Sequence, residues 1–252
     1  MSERSVRDPW GADALIVVGR SSPQRKREPF GYACAAIPVR TRLVRVHDDL
    51  PALVAGAVRG IARAGDVVAV SETAVAIAQN RIIAAETIRP SRLAYALSRR
   101  AGALATVNQP ESLQLVIDDV GPARVIVAAA AQLVGRLCGV RGLFYRVLGS
   151  AIAAIDGYTG TLPPFERTIV LGPADPDGAA RAIAAGCGAP AVVVDANDLG
   201  VVNVLGASPG VDPAWVAAAL RTNPHGNGDE QTPIVVLTRR PPHRSTPGEQ
   251  AA

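Results

Sequence analysis

Three acidic, glycine-containing segments hold the residue types in this chain that are suited to chemistry. The first is Val192-Val-Val-Asp195-Ala-Asn197-Asp198-Leu-Gly200, an apolar run delivering two carboxylates and an amide to what reads as a strand end. Hard oxygen ligands there suit Mg²⁺ or Mn²⁺ and, through the ion, a nucleotide phosphate. A solvated turn is the competing reading, because Asp, Asn and Gly are also ordinary turn formers. The second is Ala153-Ala-Ile-Asp156-Gly157-Tyr-Thr-Gly160, again a carboxylate after an apolar strand, with glycines that admit close backbone approach. The third is the loop Asn223-Pro-His225-Gly-Asn-Gly-Asp229-Glu230-Gln-Thr-Pro233, which leads into the apolar run that ends near Thr238. Carboxylates converging on one cleft repel unless a cation neutralises them. Asp156 and Asp195, in matching contexts, are therefore expected at neighbouring strand ends with a shared cation. Asp229 or Glu230 is expected to approach them on a loop that orders around nucleotide.

Other chemistries find little support. GxxxxGK(S/T), GxGxxG after the first strand, HExxH and GxSxG are all absent. Only three histidines occur, and of these His225 alone lies in a suggestive loop, so a Ser-His-Asp hydrolase is not expected. Lys26 is the only lysine, so a Walker or Schiff-base lysine is not available elsewhere. The net charge of +4 is small and its arginines are scattered, and aromatics are 4% of the chain, so stacking partners for nucleic acid are scarce. Cys34, Cys138 and Cys187 lack metal or CxxC spacing and read as reduced thiols. Glu3, Arg4, Arg7 and Asp8 replace the apolar core of a signal peptide. The longest apolar run, near Val125 to Val134, contains Gln132 and is too short for a bilayer. These features lead to the expectation of a cytoplasmic protein bound to neither membrane nor nucleic acid.

The elements that must position these residues alternate between helical and strand patterns. With 252 residues, 48% of them apolar, the chain can bury a large core built of Ala, Val, Leu and Ile. Strands are expected at 14–19, 42–47, 66–70, 81–84, 150–155, 168–171, 191–194, 201–205 and 233–238. Helices are expected from Asp48 or Asp49 to about Ala64, from Ser91 to about Arg100, and at 111–120, 124–138, 177–185 and 212–221. Residues 1–12 and 240–252 read as disordered ends flanking a domain over 13–239, in two lobes divided near 142–150. The fold class is mixed α/β (α+β). Phe144, Tyr145 and Tyr158 are grouped in sequence, either as core packing or as a flat wall for a ring-shaped ligand.

The order of segments resembles the coenzyme F-420:L-glutamate ligases, also called F-420-0:gamma-glutamyl ligases, from about Ile37 to Arg239. Ile37-Pro38, Asp48-Asp49-Leu50, Gly65-Asp66-Val-Val-Ala-Val70-Ser71-Glu72, Arg81-Ile-Ile83 and Pro90-Ser91 match the family's opening. Asp156-Gly157, Val194-Asp195 to Gly200, and Gly228-Asp229-Glu230 with Pro233 to Arg239 fall where its later motifs do. The resemblance implies a two-lobed mixed-sheet homodimer that binds GTP as co-substrate and Mg²⁺ or Mn²⁺. It implies joining L-glutamate, or another amino acid, to a carboxylate of the deazaflavin F-420-0 or a related acceptor through an acyl phosphate. Carried over, Asp156, Asp195 and Asp198 are the metal ligands. Ser71, Glu72, Arg81, Asp229 and Glu230 are the nucleotide-binding residues. The chain departs from the pattern after Ser71, where the family carries lysines and this sequence reads Glu72-Thr-Ala-Val-Ala-Ile-Ala-Gln79-Asn80-Arg81. It departs again where Asn197-Asp198-Leu199 replaces a segment containing arginine. Those departures keep two rivals open: a non-catalytic nucleotide or metal binder on the same fold, and a hydrolase or transferase that activates water.

Overall fold

The computed structural model describes residues 26–27, 33–100, 108–140, 142–149, 155–156, 164–165, 167–226 and 230–240. The expected strand at 14–19 and both expected disordered ends lie outside them, except Arg240, which ends a strand, and Asp229 lies outside as well. The chain divides into two compact units, residues 1–74 with 175–252, and residues 75–174. The division expected near 142–150 instead falls inside the second unit.

The first unit is built on a sheet of β1 (Lys26–Arg27), β2 (Ala33–Val39), β3 (Val67–Ser71), β7 (Ala191–Ala196), β8 (Val202–Ala207) and β9 (Ile234–Arg240). Their order is β1-β2-β9-β3-β7-β8, and only the β3–β7 pair is parallel. Val67, Ala69, Val192, Val194, Val235 and Leu237 pack with Trp215, Val216 and Leu220 in one cluster. The alternate residues Val68, Val70, Val193 and Val236 are equally buried. With both faces covered, these central strands are continuous apolar runs and show no alternation.

Helices α1 (Leu50–Val58) and α7 (Pro176–Cys187) pack on one another, and α7 packs on β7 and β8. Asp49 caps α1 by accepting from the Ala52 N–H (3.1 Å), and Asp175 caps α7 through Gly178. Helix α8 (Pro213–Ala219) is capped by Asp212. The strand expected at 42–47 is a loop. There the Arg42 guanidinium grips Asp48 (2.6 and 2.9 Å), while Asp48 also accepts from the Arg45 N–H and closes a turn with φ +65° at His47. Burial works to raise the Asp48 pKa, but these hydrogen bonds outweigh it and hold the carboxyl below its ordinary value. Helix α1 stops at Val58, short of the expected Ala64.

Between Ser71 and α7 the chain forms the second unit, entered through α2 (Glu72–Ala78), whose last residues belong to it. Strands β4 (Ile82–Ala84), β5 (Ile155–Asp156) and β6 (Thr168–Leu171) form a small antiparallel sheet in the order β4-β6-β5. Helices α3 (Arg92–Ser98), α4 (Pro110–Val120), α5 (Pro122–Leu137) and α6 (Leu143–Leu148) share a core that includes Leu113, Val125, Phe144, Leu148 and Ile169. Ser91 caps α3 as expected, accepting from the Ala94 N–H at 3.2 Å. Phe144 is core packing. Its neighbour Tyr145 lies half exposed, edge-on to it at 5.8 Å.

Candidate functional site

Because β3 and β7 run parallel, their C-terminal ends emerge at the same edge of the large sheet. Ser71 lies opposite Val194, so Asp195 stands one residue beyond Ser71 on the neighbouring strand. Strand β9 runs antiparallel to β3 and enters at that same edge: Val70 pairs with Ile234, and the Ser71 N–H donates to the Pro233 carbonyl at 2.8 Å. Pro233 is thereby fixed beside Ser71, and the Gln231 carbonyl just before it accepts from the Thr41 N–H at 3.0 Å. Of the expected site residues, the fold thus gathers Ser71, Glu72, Asp195, Asp198 and Glu230 along one edge of the first unit. Asp156 and Arg81 belong to the second unit. Asp156 ends β5 opposite Val170, in a different sheet from Asp195, so the two are not on adjacent strands of one sheet.

The Asp195 segment is a β-hairpin. Asp195 pairs across the hairpin with Asn203, whose side-chain amide donates to Asp195 Oδ2 at 3.1 Å. Asn197 serves the turn, its Oδ1 accepting from the Leu199 and Val201 N–H groups (3.1 and 3.2 Å), with Gly200 at φ +77°. The turn reading therefore holds for Asn197, while Asp195 stays half-buried at the strand end and Asp198 is exposed. Asp198 Oδ1 accepts from Asn223 Nδ2 at 2.8 Å, which ties the hairpin tip to the loop after α8.

That loop is held by a two-way clasp. The His225 ring presents Nδ1 to the Thr232 carbonyl at 3.2 Å, and Thr232 Oγ1 donates to the His225 carbonyl at 2.5 Å. Positive φ at Asn223, Gly226 and Gln231 bends the chain into this shape, and at Gly226 (φ +74°) the Glu230 carboxylate approaches the position a Cβ would take. Burial pushes the His225 pKa down to about 4, against the weaker opposing pull of the Thr232 bond. The ring is thus neutral near pH 7. Its Nδ1–H is used on Thr232, and Nε2 is a buried acceptor without a partner among the described residues.

The donor chemistry of this edge fits a hard cation. Asp195 and Asp198 are each oriented by an amide through one oxygen. Mg²⁺ commonly takes only one or two protein carboxylates, with phosphate oxygens and waters completing its shell. Among the described residues no three His, Cys, Asp or Glu side chains cluster. Arg81 belongs to the second unit, where its Nε donates to the Gly172 carbonyl (2.5 Å) and braces the small sheet. In place of family lysines, α2 buries Ala74, Val75, Ala76, Ile77 and Ala78. The segment after Ser71 is a core helix, with Glu72 in its first turn.

A family model described as F420-0:Gamma-glutamyl ligase matches residues 38–189, and the chain belongs to the F420-0:gamma-glutamyl ligase family. The matched segment contains Ser71, Glu72, Arg81 and Asp156 and ends before Asp195, short of the Arg239 limit expected from the motifs. No curated protein matches the chain. No helix among the described residues is long and apolar enough to cross a membrane. Asn203, Asn223, His225 and Thr232 are the site's unassigned partners. The only sequence signal for them was their place in polar loops between apolar strands.

Proposed function

We propose that this protein is an amide ligase that uses GTP and a divalent cation to join L-glutamate, or another amino acid, to a carboxylate of F-420-0 or a related acceptor. The observation that carries the reading is the convergence of Ser71 and Glu72, from the family-matched segment, with Asp195, Asp198 and Glu230 on one sheet edge. In this reading the acceptor carboxylate takes the γ-phosphoryl group, giving GDP and an acyl phosphate. The amino group then attacks the acyl carbon, inorganic phosphate leaves, and the nitrogen sheds a proton. Asp195 and Asp198 would hold Mg²⁺ or Mn²⁺, which offsets phosphate charge when bound. The Ser71 side chain and the Glu230 loop would border the nucleotide, and the His225–Thr232 clasp would keep that loop's ends in place. A homodimer acting on small molecules is part of the same proposal.

A second reading, a nucleotide or metal binder without turnover, is favoured by α2. An apolar helix opening on Glu72 offers no positive charge to grip phosphate and places an anion where one would bind. Incubating the purified protein with F-420-0, L-glutamate, GTP and Mn²⁺ separates the two. Release of phosphate that requires both acceptor and glutamate, with the glutamylated product seen by mass spectrometry, supports the ligase. GTP binding without either product supports the second reading.

A further inference from the structure

A phosphate chain brought to the edge of Ser71 and Asp195 meets carboxylates, and one divalent cation offsets only part of its charge. The segment after Ser71 supplies no positive side chain before Arg81, so further positive charge has to come from another strand. Most cations of the first unit are placed elsewhere. Lys26, Arg27, Arg239 and Arg240 are in register with Ala33 and Cys34, at the opposite edge of the sheet. Arg63 precedes β3 at that opposite edge, and Arg42 is held by Asp48.

Arg40 is the exception. Strand β2 ends at Val39, in register with Ile234, which is itself in register with Val70. The next step brings Arg40 opposite Pro233, whose carbonyl accepts from the Ser71 N–H at 2.8 Å. One residue further, the Thr41 N–H donates to the Gln231 carbonyl at 3.0 Å. The Arg40 backbone is therefore fixed on both sides, two strand spacings or about 10 Å from Ser71. Alternation puts the two side chains on one face of the sheet. Cys34 and Ala36 of β2, like Val67 and Ala69 of β3, pack in the cluster around Trp215, and the same alternation continues to Arg40 and to Ser71. Helix α8 packs on that face, and the loop of His225 runs from it. With the described residues Arg40 makes no ion pair and no side-chain hydrogen bond.

We infer that Arg40 is the phosphate grip of this edge, its guanidinium fork binding oxygens of a phosphate chain laid beside Ser71. The inference rests on the ligase reading for the identity of that chain as a nucleotide's. Arg221 is the rival cation. Its carbonyl lies 3.5 Å from where a Cβ of Gly200 would stand, beside the hairpin tip, but no strand pairing fixes it.

Calorimetric titration of the full chain with inorganic triphosphate and with GTP, each in the presence of Mn²⁺, tests the assignment. Arg40→Ala should weaken both by about 10- to 100-fold, the size of one or two hydrogen bonds to a charged group. Arg40→Lys should recover part of the loss, and Arg221→Ala should change either affinity by less than about threefold. Circular dichroism and Tm of Arg40→Ala should match the wild type, because no partner is left behind. Triphosphate binding that depends on Arg40, without GTP binding, upholds the inference and removes the nucleotide from the ligase reading. GTP bound equally by wild type and Arg40→Ala overturns the inference and leaves that reading standing. A loss in Arg221→Ala as large as in Arg40→Ala overturns the assignment to Arg40, and a wild type that binds neither probe overturns inference and reading together.

Discussion

Replacing His225 with Gln keeps a side chain able to donate to the Thr232 carbonyl but removes the titrating ring, so comparing the two proteins across pH isolates one proton. The imidazole is buried and its pKa is pushed down from 6.5 to about 4. Above pH 6.5 it is neutral whether the chain is folded or unfolded, and it costs nothing. As the pH falls below 6.5 the unfolded chain takes up a proton that the folded chain refuses, so stability drops. The loss reaches about 2 kcal/mol at pH 5 and levels off near 3 kcal/mol below pH 4, at about 1.4 kcal/mol per pKa unit. The carboxylates are the same in both proteins and largely cancel in the comparison. Urea unfolding at pH 8 and pH 5 is the assay. At pH 8 the His225→Gln protein should be less stable than wild type by about 1 kcal/mol, from poorer packing and a less well placed donor. At pH 5 the order should reverse by a similar amount. A stability gap equal at the two pH values within about 0.5 kcal/mol would refute the claim that the clasp holds a neutral, buried imidazole.

Three further outcomes are expected. On the proposed ligase reading Mn²⁺ or Mg²⁺ should raise Tm, and Asp195→Asn should abolish that rise while leaving the metal-free protein unchanged or slightly more stable, as read by thermal scans with and without metal. Gly206→Ala should cost about 2–4 kcal/mol in denaturant unfolding, because a Cβ there collides with the Pro176–Asp177 backbone at the start of α7, where the Asp177 carboxylate also accepts from the Ala207 N–H. GTP with Mn²⁺ should slow hydrogen exchange in the loop 223–232, and an unchanged exchange pattern would remove that loop from the nucleotide site.

The strongest periodic signals in the sequence correspond to elements close to where they were expected. The apolar runs 66–70 and 191–194 are β3 and β7, the strand at 168–171 is β6, and helices α4, α5 and α7 match within two or three residues at each end. Buried strands and capped helices write their own patterns. Besides the two-residue β1, three elements were silent. Strand β2 opens on Ala33-Cys-Ala-Ala36, residues with little strand preference, and Pro38 interrupts its Ile37 and Val39, so it is held by pairing with β9, some two hundred residues away. Helix α2 follows Ser71 without a loop, so its first residues read as a motif continuing from the strand. Helix α6 lies where a boundary seemed due, between Gly142 and Gly149. The site was half legible for the same reason. Its carboxylates follow apolar strands and are visible in sequence, whereas the amides that orient them, Asn203 and Asn223, reach them only through cross-strand pairing and a positive-φ bend. Asp156 and Asp195 share a local context but not a sheet, and local context cannot encode which sheet a strand joins.

The position of β9 has a consequence for how the chain comes into being. It is the last strand described, yet it lies inside the large sheet between β2 and β3, which do not pair with each other. Until residue 240 has left the ribosome, β1–β2 and β3–β7–β8 are separate fragments, each with an unpaired edge. By then the second unit, contiguous over residues 75–174, has been outside the ribosome for the time needed to add more than sixty residues. Synthesis therefore imposes an order, with the inserted unit free to fold first and the interrupted one completing its own sheet last. A chain cut before Pro233 loses more than an edge strand. It loses the joint between the two halves of its larger sheet, along with the Pro233 carbonyl that anchors Ser71.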